Sequence, residues 1–373
     1  MIHPFDDLPL HQSSAPLLHV SSDSAGLYDR YFFNGFDAEG TVMFGVALGV
    51  YPNRQVMDAA FSVSVDGVQH NCRSSRRCSV DRTVTTVGSV AVQVVEPLVR
   101  HRIVVTDHHG VSADLVVRAV SPVIEEPTFV RRVEGRPAME YTRITQFGEW
   151  SGWIDVDGRR IDLGSLGRVQ GCRDRSWGVR GGTRGLAGPA TVPQFFWTWA
   201  PTLFDDVCTH VAVNDDGEGR SWHRSGAVVE RGPVGSADVA SVLDDGRVQR
   251  ADRVLTTMTW QPGSRWAAQM TATIEPWGAD AMVVDYQPFA RFHMSGLGYL
   301  HPEWDHGSWH GELDETRDAI MLAEVNPLDP SMIHVQQLCR ARSGDRVGVG
   351  VLEQLVLGPH APSGFTSVLD GAP

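Results

Sequence analysis

The chain has 373 residues, 42% of them hydrophobic and 21% charged, enough for a real core and for two domains of ordinary size. A net charge of −13 with no basic stripe excludes nucleic acid as a partner and mainly indicates solubility. All 32 basic residues are arginine, which excludes Schiff-base lysine chemistry and a Walker-type phosphate lysine.

Residues 1–24 lack a basic stretch followed by an apolar core and do not read as a signal peptide. The runs 41–51, 59–65, 87–95, 102–106 and 113–119 are short, valine-rich and separated by turn signals, and predict strands. Asp66-Gly67, Asp157-Gly158, Asp216-Gly217 and Asp245-Gly246 predict hairpin turns, and His108-His109-Gly110 predicts another. The Gly-rich stretch 181–194 predicts a seam, dividing the chain into domains 1–185 and 186–373. β patterns restart at 195–200, 210–213, 226–230, 254–260 and 266–274. No segment keeps an apolar helical period, and the longest apolar run falls far short of the ~20 residues of a membrane span. With 38 glycines and evenly spaced strands, barrels or sandwiches are favoured over βαβ units. A faint echo of 174–178 (Asp-Arg-Ser-Trp-Gly) in 305–311 suggests internal duplication.

The cysteines, Cys72, Cys78, Cys172, Cys208 and Cys339, are odd in number and form no C-x-x-C pair. Neither a disulfide framework nor a cysteine zinc site is expected, and reduced thiols in the cytoplasm are the simplest reading.

Two segments are dense in chemistry. In the first, Asp174 stands among Arg173, Arg175 and Arg180, close in sequence to Trp177, Trp197 and Trp199. It reads as an Arg–Asp cluster pinning a barrel end, or as an acid kept protonated in an apolar pocket beside tryptophan faces that stabilise a cation. The flanking arginines oppose the second reading, because they would hold Asp174 ionised.

The second segment, 291–312, holds His293, Tyr299, His301, Glu303, Trp304, Asp305, His306, Trp309, His310 and Glu312. His306 and His310 have helical spacing, but Gly307 and Gly311 weaken a helix; in a strand His306, Ser308 and His310 would share one face. No metal-ligand motif matches, so no metal is expected. Proton transfer, with Tyr299, His301 or His306 as base and Glu303 or Asp305 as partner, is preferred to metal binding. The bland reading is a polar loop with satisfied histidines. No G-x-S-x-G elbow occurs, and the adjacent pairs Glu125-Glu126 and Asp205-Asp206 would point to opposite faces of a strand.

On these residues the chain resembles a lipocalin-like superfamily that includes bacterial carotenoid 1,2-hydratases, AttH-like proteins, plant tocopherol cyclases and fungal Diels–Alderases. The shared feature is a D-x-x-W-G string followed by W-x-W, here residues 174–178 and 197–199. A Gly-Tyr-x-His-Pro-Glu-Trp string, here 298–304, is similar to one in bacterial relatives, as are His334-Val335-Gln336-Gln337 and Glu353-Gln354. The resemblance implies an all-β fold of two tandem lipocalin-like (calycin-type) antiparallel barrels, and cofactor-free acid chemistry with Asp174 as proton donor. The expected function is a hydratase, dehydratase or cyclase acting on a terpenoid, steroid-like or other isoprenoid in an apolar pocket. Tyr299, His301, Glu303 and His306 are the other catalytic candidates. Trp177, Trp197, Trp199, Trp304 and Trp309 would bind the substrate, collected by transient membrane contact. The rivals are a non-catalytic carrier of an apolar ligand and a pericyclase.

Overall fold

The computed structural model describes residues 14, 19–133, 136–180 and 193–373. Valine-rich segments with one face buried become antiparallel strands, as in Val111–Ala119, where buried and half-buried positions alternate along the whole length. The first part of the chain forms β1 (Leu27–Asp37), β2 (Val42–Tyr51), β3 (Val56–Val65), β4 (Val68–Arg77), β5 (Thr86–Val87), β6 (Val90–Glu96), β7 (Arg100–His108), β8 (Val111–Ala119), β9 (Ile124–Glu125), β10 (Phe129–Val133), β11 (Arg136–Val156), β12 (Arg159–Asp162) and β13 (Val169–Arg180). The rest forms β14 (Phe195–Trp199), β15 (Thr202–Leu203), β16 (Val207–Asp215), β17 (Ser221–Glu230), β18 (Val248–Trp260), β19 (Ala267–Pro276), β20 (Met282–His293), β21 (Leu313–Met321), β22 (Val335–Ser343) and β23 (Arg346–Leu357).

The first sheet runs β21-β4-β3-β2-β1-β13-β11-β8-β7-β6-β5 and curls into a half-barrel. The second closes on itself as an eight-stranded barrel, because β16 pairs with β17 and β23 pairs with the interrupted strand β14–β15. The expected all-β, lipocalin-like fold of two antiparallel units is what the chain adopts. One strand is exchanged: β21 follows the second barrel's β20 but pairs with β4 of the first sheet from Leu313 opposite Arg76 to Met321 opposite Val68. The expected seam lies mostly outside the described residues, as does the 185/186 boundary.

Both concave interiors are packed. Phe33, Phe44, Phe61, Ile103, Leu115 and Trp150 help fill the first, and Phe204, Val254, Met270, Ile274, Tyr286 and Leu352 the second. A third core, with Phe32, Ala47, Phe147, Cys172, Trp199 and Leu338, lies between the units, where their outer faces meet. No helix among the described residues is long and apolar enough to cross a membrane. All five cysteines are unpaired.

Asp66-Gly67, His109-Gly110 and Asp157-Gly158 turn hairpins with positive φ at both residues, as a tight right-twisting turn requires. Asp216-Gly217 lies in the connection between the paired strands β16 and β17. Asp245-Gly246 instead begins a 3-10 turn, with the Asp244 side chain accepting the Gly246 N–H at 3.1 Å, so the local cap overrides the hairpin signal. The echo of 174–178 in 305–311 does not mark a structural repeat. The first copy is strand β13, and the second is irregular loop.

Candidate active site

Three rows of side chains cross β1, β13 and β11 on the face that meets the second barrel. Phe32, Asp174 and Thr145 form one, Arg30, Ser176 and Arg143 the next, and Tyr28, Gly178 and Tyr141 the third. Gly178 closes the motif for a steric reason. Its φ is +138°, and a Cβ there would lie 2.4 Å from Glu140 O and 2.8 Å from the Tyr141 Cβ. Without a side chain at this point Tyr28 and Tyr141 meet edge to face, ring centroids 6.0 Å apart.

Alternation along β13 separates Asp174 from the arginines that flank it in sequence. On the other face, Arg173 donates to Gln146 Oε1 at 2.9 Å and Arg175 pairs with Asp29. Asp174 has no hydrogen bond or ion pair among the described residues. Burial raises its carboxyl from the ordinary 3.8 to about 6; Arg143 and Arg30 pull it down, while Glu353 and Glu126 push it up. It lies deep between the sheets yet is only half-buried, as are Tyr141, Arg180 and Tyr299, so these side chains border a space rather than packed atoms.

Arg143 is committed elsewhere. Its guanidinium grips Glu126 in a bidentate pair at 2.7 and 2.6 Å, and Thr145 adds a third bond to that carboxylate at 2.7 Å. The same guanidinium lies 4.7 Å from the Trp197 ring centre, 5.4 Å from Trp199 and 4.8 Å from Phe129. The tryptophan faces expected to stabilise a substrate cation are thus occupied by the protein's own cation.

Across the seam, Glu353 of β23 accepts from His334 Nε2 at 2.8 Å, Trp197 Nε1 at 3.2 Å and Gln336 Nε2 at 2.7 Å. Against the cost of burial, these donors hold its carboxyl below the usual range, and it stays ionised. The buried Nδ1 of His334 has no hydrogen-bond partner.

The segment after β20 carries the remaining candidates over the outer face of β1–β4. Tyr299 packs on His334, with ring centres 4.7 Å apart, and on His306 at 4.3 Å, under the Arg30 guanidinium at 4.6 Å. Burial raises its hydroxyl pKa; Arg30 and Arg180 oppose the rise. His306 accepts from Arg30 Nη1 at Nδ1 (2.8 Å) and donates from Nε2 to Leu297 O (3.0 Å). Arginine can only donate, so this tautomer is fixed, and burial, with Arg30 and Arg180, holds the ring neutral. Both nitrogens are engaged, and His306 positions Arg30.

His301 serves the loop. Its Nδ1 accepts the backbone N–H groups of Glu303 and Trp304 at 3.2 and 3.0 Å, and its Nε2 lies 3.8 Å from Asp318. Glu303 is exposed. Trp304 stacks on His310 at 3.9 Å and borders a neighbouring cleft with Asp58, Arg73 and His306. Trp177 and Trp309 are 42% and 50% exposed; Trp177 points to the opposite face of β13, and Trp309 lies under Arg77. The structure therefore gathers Asp174, Tyr299, His306, Trp197 and Trp199 at the seam, and leaves Trp177, Glu303 and Trp309 outside it. Arg30, Arg143, Arg180 and the His334–Glu353 pair were not singled out as site residues. The strings containing His334 and Glu353 carry a resemblance, and Glu353-Gln354 is a polar pair inside the otherwise apolar run 349–357, a readable signal.

The fold is similar to that of an AttH-type protein from Nitrosomonas europaea, at 11% identity and a TM-score of 0.52, over 93% of this chain and 98% of that one. Kievitone hydratase from Nectria haematococca aligns at 12% identity and 0.49, over 88% and 89% of the two chains. CghA aligns at 11% identity and 0.48, over 90% and 89%. The first of these likenesses establishes shared architecture, that of the lipocalin-like AttH fold. No curated protein matches the sequence. Residues 2–366 match the model of a family of unknown function (DUF8625), and the chain belongs to that family.

Proposed function

We propose that the chain is a cofactor-independent enzyme of acid–base chemistry, a hydratase/dehydratase or cyclase that works between its two β units with Asp174 as proton carrier. The observation that carries this reading is a carboxyl with no hydrogen-bond or ion-pair partner among the described residues, deep at the seam, whose pKa of about 6 lets it hold or release a proton near neutrality. Nothing in a purely structural ion-pair cluster needs such a group, because an unpaired buried acid only costs stability.

In hydration, Asp174 gives its proton to one carbon of an alkene, water adds to the other, and the proton that water loses returns to Asp174. Dehydration runs the same steps backwards, with the proton delivered to the departing hydroxyl. Burial is the main cause of the raised pKa of Asp174, and Glu353, held ionised by its three donors, adds to it by raising the cost of a second negative charge. Tyr299 offers a hydroxyl to a substrate oxygen. For the substrate's apolar body our leading candidate is an isoprenoid, received at the apolar belt between the units that contains Phe32, Phe147, Phe292 and Leu297. The unpaired cysteines suit a reducing compartment, and we place the protein in the cytoplasm.

Native mass spectrometry of protein purified without organic solvent identifies the bound molecule. In D2O the wild type should then move deuterium onto a carbon of that molecule, and Asp174→Asn should not. Transfer by Asp174→Asn at the wild-type rate overturns the reading.

A further inference from the structure

Two guanidinium groups at the seam have no ion-pair partner among the described residues. Arg30, 2% exposed, spends one nitrogen on His306 Nδ1 at 2.8 Å and another on Leu297 O at 3.4 Å, and its Nε has no partner. Arg180 lies over the Tyr28 ring at 4.6 Å, and its charge also acts on Tyr299, Tyr141, Tyr51, Arg30 and His306. Among the described residues no carboxylate comes within ion-pair distance of either arginine. The acids nearby are committed or held back. Glu126 is gripped by Arg143, Glu353 by His334, Gln336 and Trp197, Asp58 accepts the Gly307 N–H at 2.7 Å, and Asp174 resists ionising. Two positive charges in a low-dielectric space are stable only when an anion completes them. Arg180 is only half-buried and borders the open space; the Tyr28 ring beneath it meets that of Tyr141, and both carry hydroxyls that can donate.

Resting on the acid–base reading above, we propose that the substrate carries a singly charged acidic group, a carboxylate or an equally acidic enol. Arg180 with the hydroxyls of Tyr28, Tyr141 and Tyr299 binds it, and Arg30 supplies the second positive charge. The substrate is then an apolar-bodied organic acid rather than a neutral hydrocarbon or alcohol. A phosphate dianion fits less well, because the ionised Glu353 acts on Tyr299 and Asp174 in the same space and would repel a second charge.

Titration calorimetry at neutral pH with decanoate, decanol and decyl phosphate tests this without knowing the natural substrate. The wild type should bind decanoate at least about tenfold more tightly than decanol, as expected for a charge-assisted contact. Arg180→Gln should erase that preference and leave decanol binding unchanged, whereas Arg180→Lys, which keeps the charge, should retain most of it. Equal affinity for decanoate and decanol, an undiminished preference in Arg180→Gln, or no decanoate binding at about 1 mM would each overturn the proposal. Tighter binding of decyl phosphate than of decanoate would overturn the singly charged assignment. Asp174→Asn separates the two readings: it should bind decanoate as well as or better than the wild type. If it also keeps full turnover, the acid–base reading fails while the carboxylate preference stands.

Discussion

Asp174 and Glu353 influence each other across the seam between the two β units, and they are opposite in kind. Glu353 holds three hydrogen-bond donors and stays ionised, while Asp174 holds none and resists ionising. The contrast divides the labour. One carboxylate is a fixed negative charge, and the other is a proton carrier whose pKa the first keeps high.

Neutralising Glu353 should therefore lower the pKa of Asp174. In Glu353→Gln the charge that raises Asp174 is gone, so Asp174 deprotonates at lower pH. If protonated Asp174 is the active form, the falling limb of the kcat/KM profile moves to lower pH. The variant should also lose about 1–3 kcal/mol of stability, because His334, Gln336 and Trp197 lose a charged acceptor. A pH–rate profile that does not move would detach Glu353 from the acid.

The Arg143–Glu126 pair is buried on both sides, and removing one member leaves a charge without compensation. Arg143→Met should cost about 3–5 kcal/mol in denaturant unfolding, and adding Glu126→Gln should recover much of that loss. Additive losses in the double variant would show that the pair is not coupled.

Much of the fold could be read in the sequence wherever one strand face is apolar and the other polar. The predicted runs at 102–106 and 113–119 became β7 and β8 on that signal, whereas 41–51 became β2 as a continuous apolar run buried on both faces. β13 escaped it. Its Arg173, Arg175 and Trp177 face one way and Asp174, Ser176 and Arg180 the other, so neither face is apolar and no period of two is visible. The site itself was only half legible. Asp174 could be singled out by motif, but its partners Arg30, Arg143 and Glu353 come from strands 27–37, 136–156 and 346–357, and only register and the meeting of two outer sheet faces bring them together. The tryptophan faces expected for a substrate cation carry the guanidinium of Arg143 at Trp197 and Trp199, a contact between residues far apart in sequence.

Gly178 should not tolerate a side chain. Gly178→Ala combines a backbone conformation that L residues avoid with contacts of 2.4 and 2.8 Å to β11, and should cost about 1–3 kcal/mol or more. Thermal melts measure the loss. A melting temperature within a degree of the wild type would show that β11 and β13 can move apart freely at this row.

Burying an unpaired acid has a signature in stability against pH. The unfolded Asp174 titrates near 3.8 and the folded one near about 6, so between these values the folded state holds more protons and stability falls as pH rises. The wild type should lose up to about 3 kcal/mol across that window relative to Asp174→Asn, which carries no such penalty. Asp174→Asn should therefore be the more stable protein at pH 8, with its advantage shrinking as pH falls from about 6 to about 4. A variant less stable than the wild type at pH 8 would mean that Asp174 is held by a stabilising ion pair.

The most direct measurement is the titration of Asp174 itself, followed by carboxyl 13C NMR on protein labelled at aspartate, with Asp174→Asn assigning the resonance. The account predicts a midpoint near 6 for this carboxyl. A midpoint at or below the ordinary 3.8 would show an ionised, paired aspartate at neutral pH, and the proton carrier on which the proposed chemistry depends would not exist.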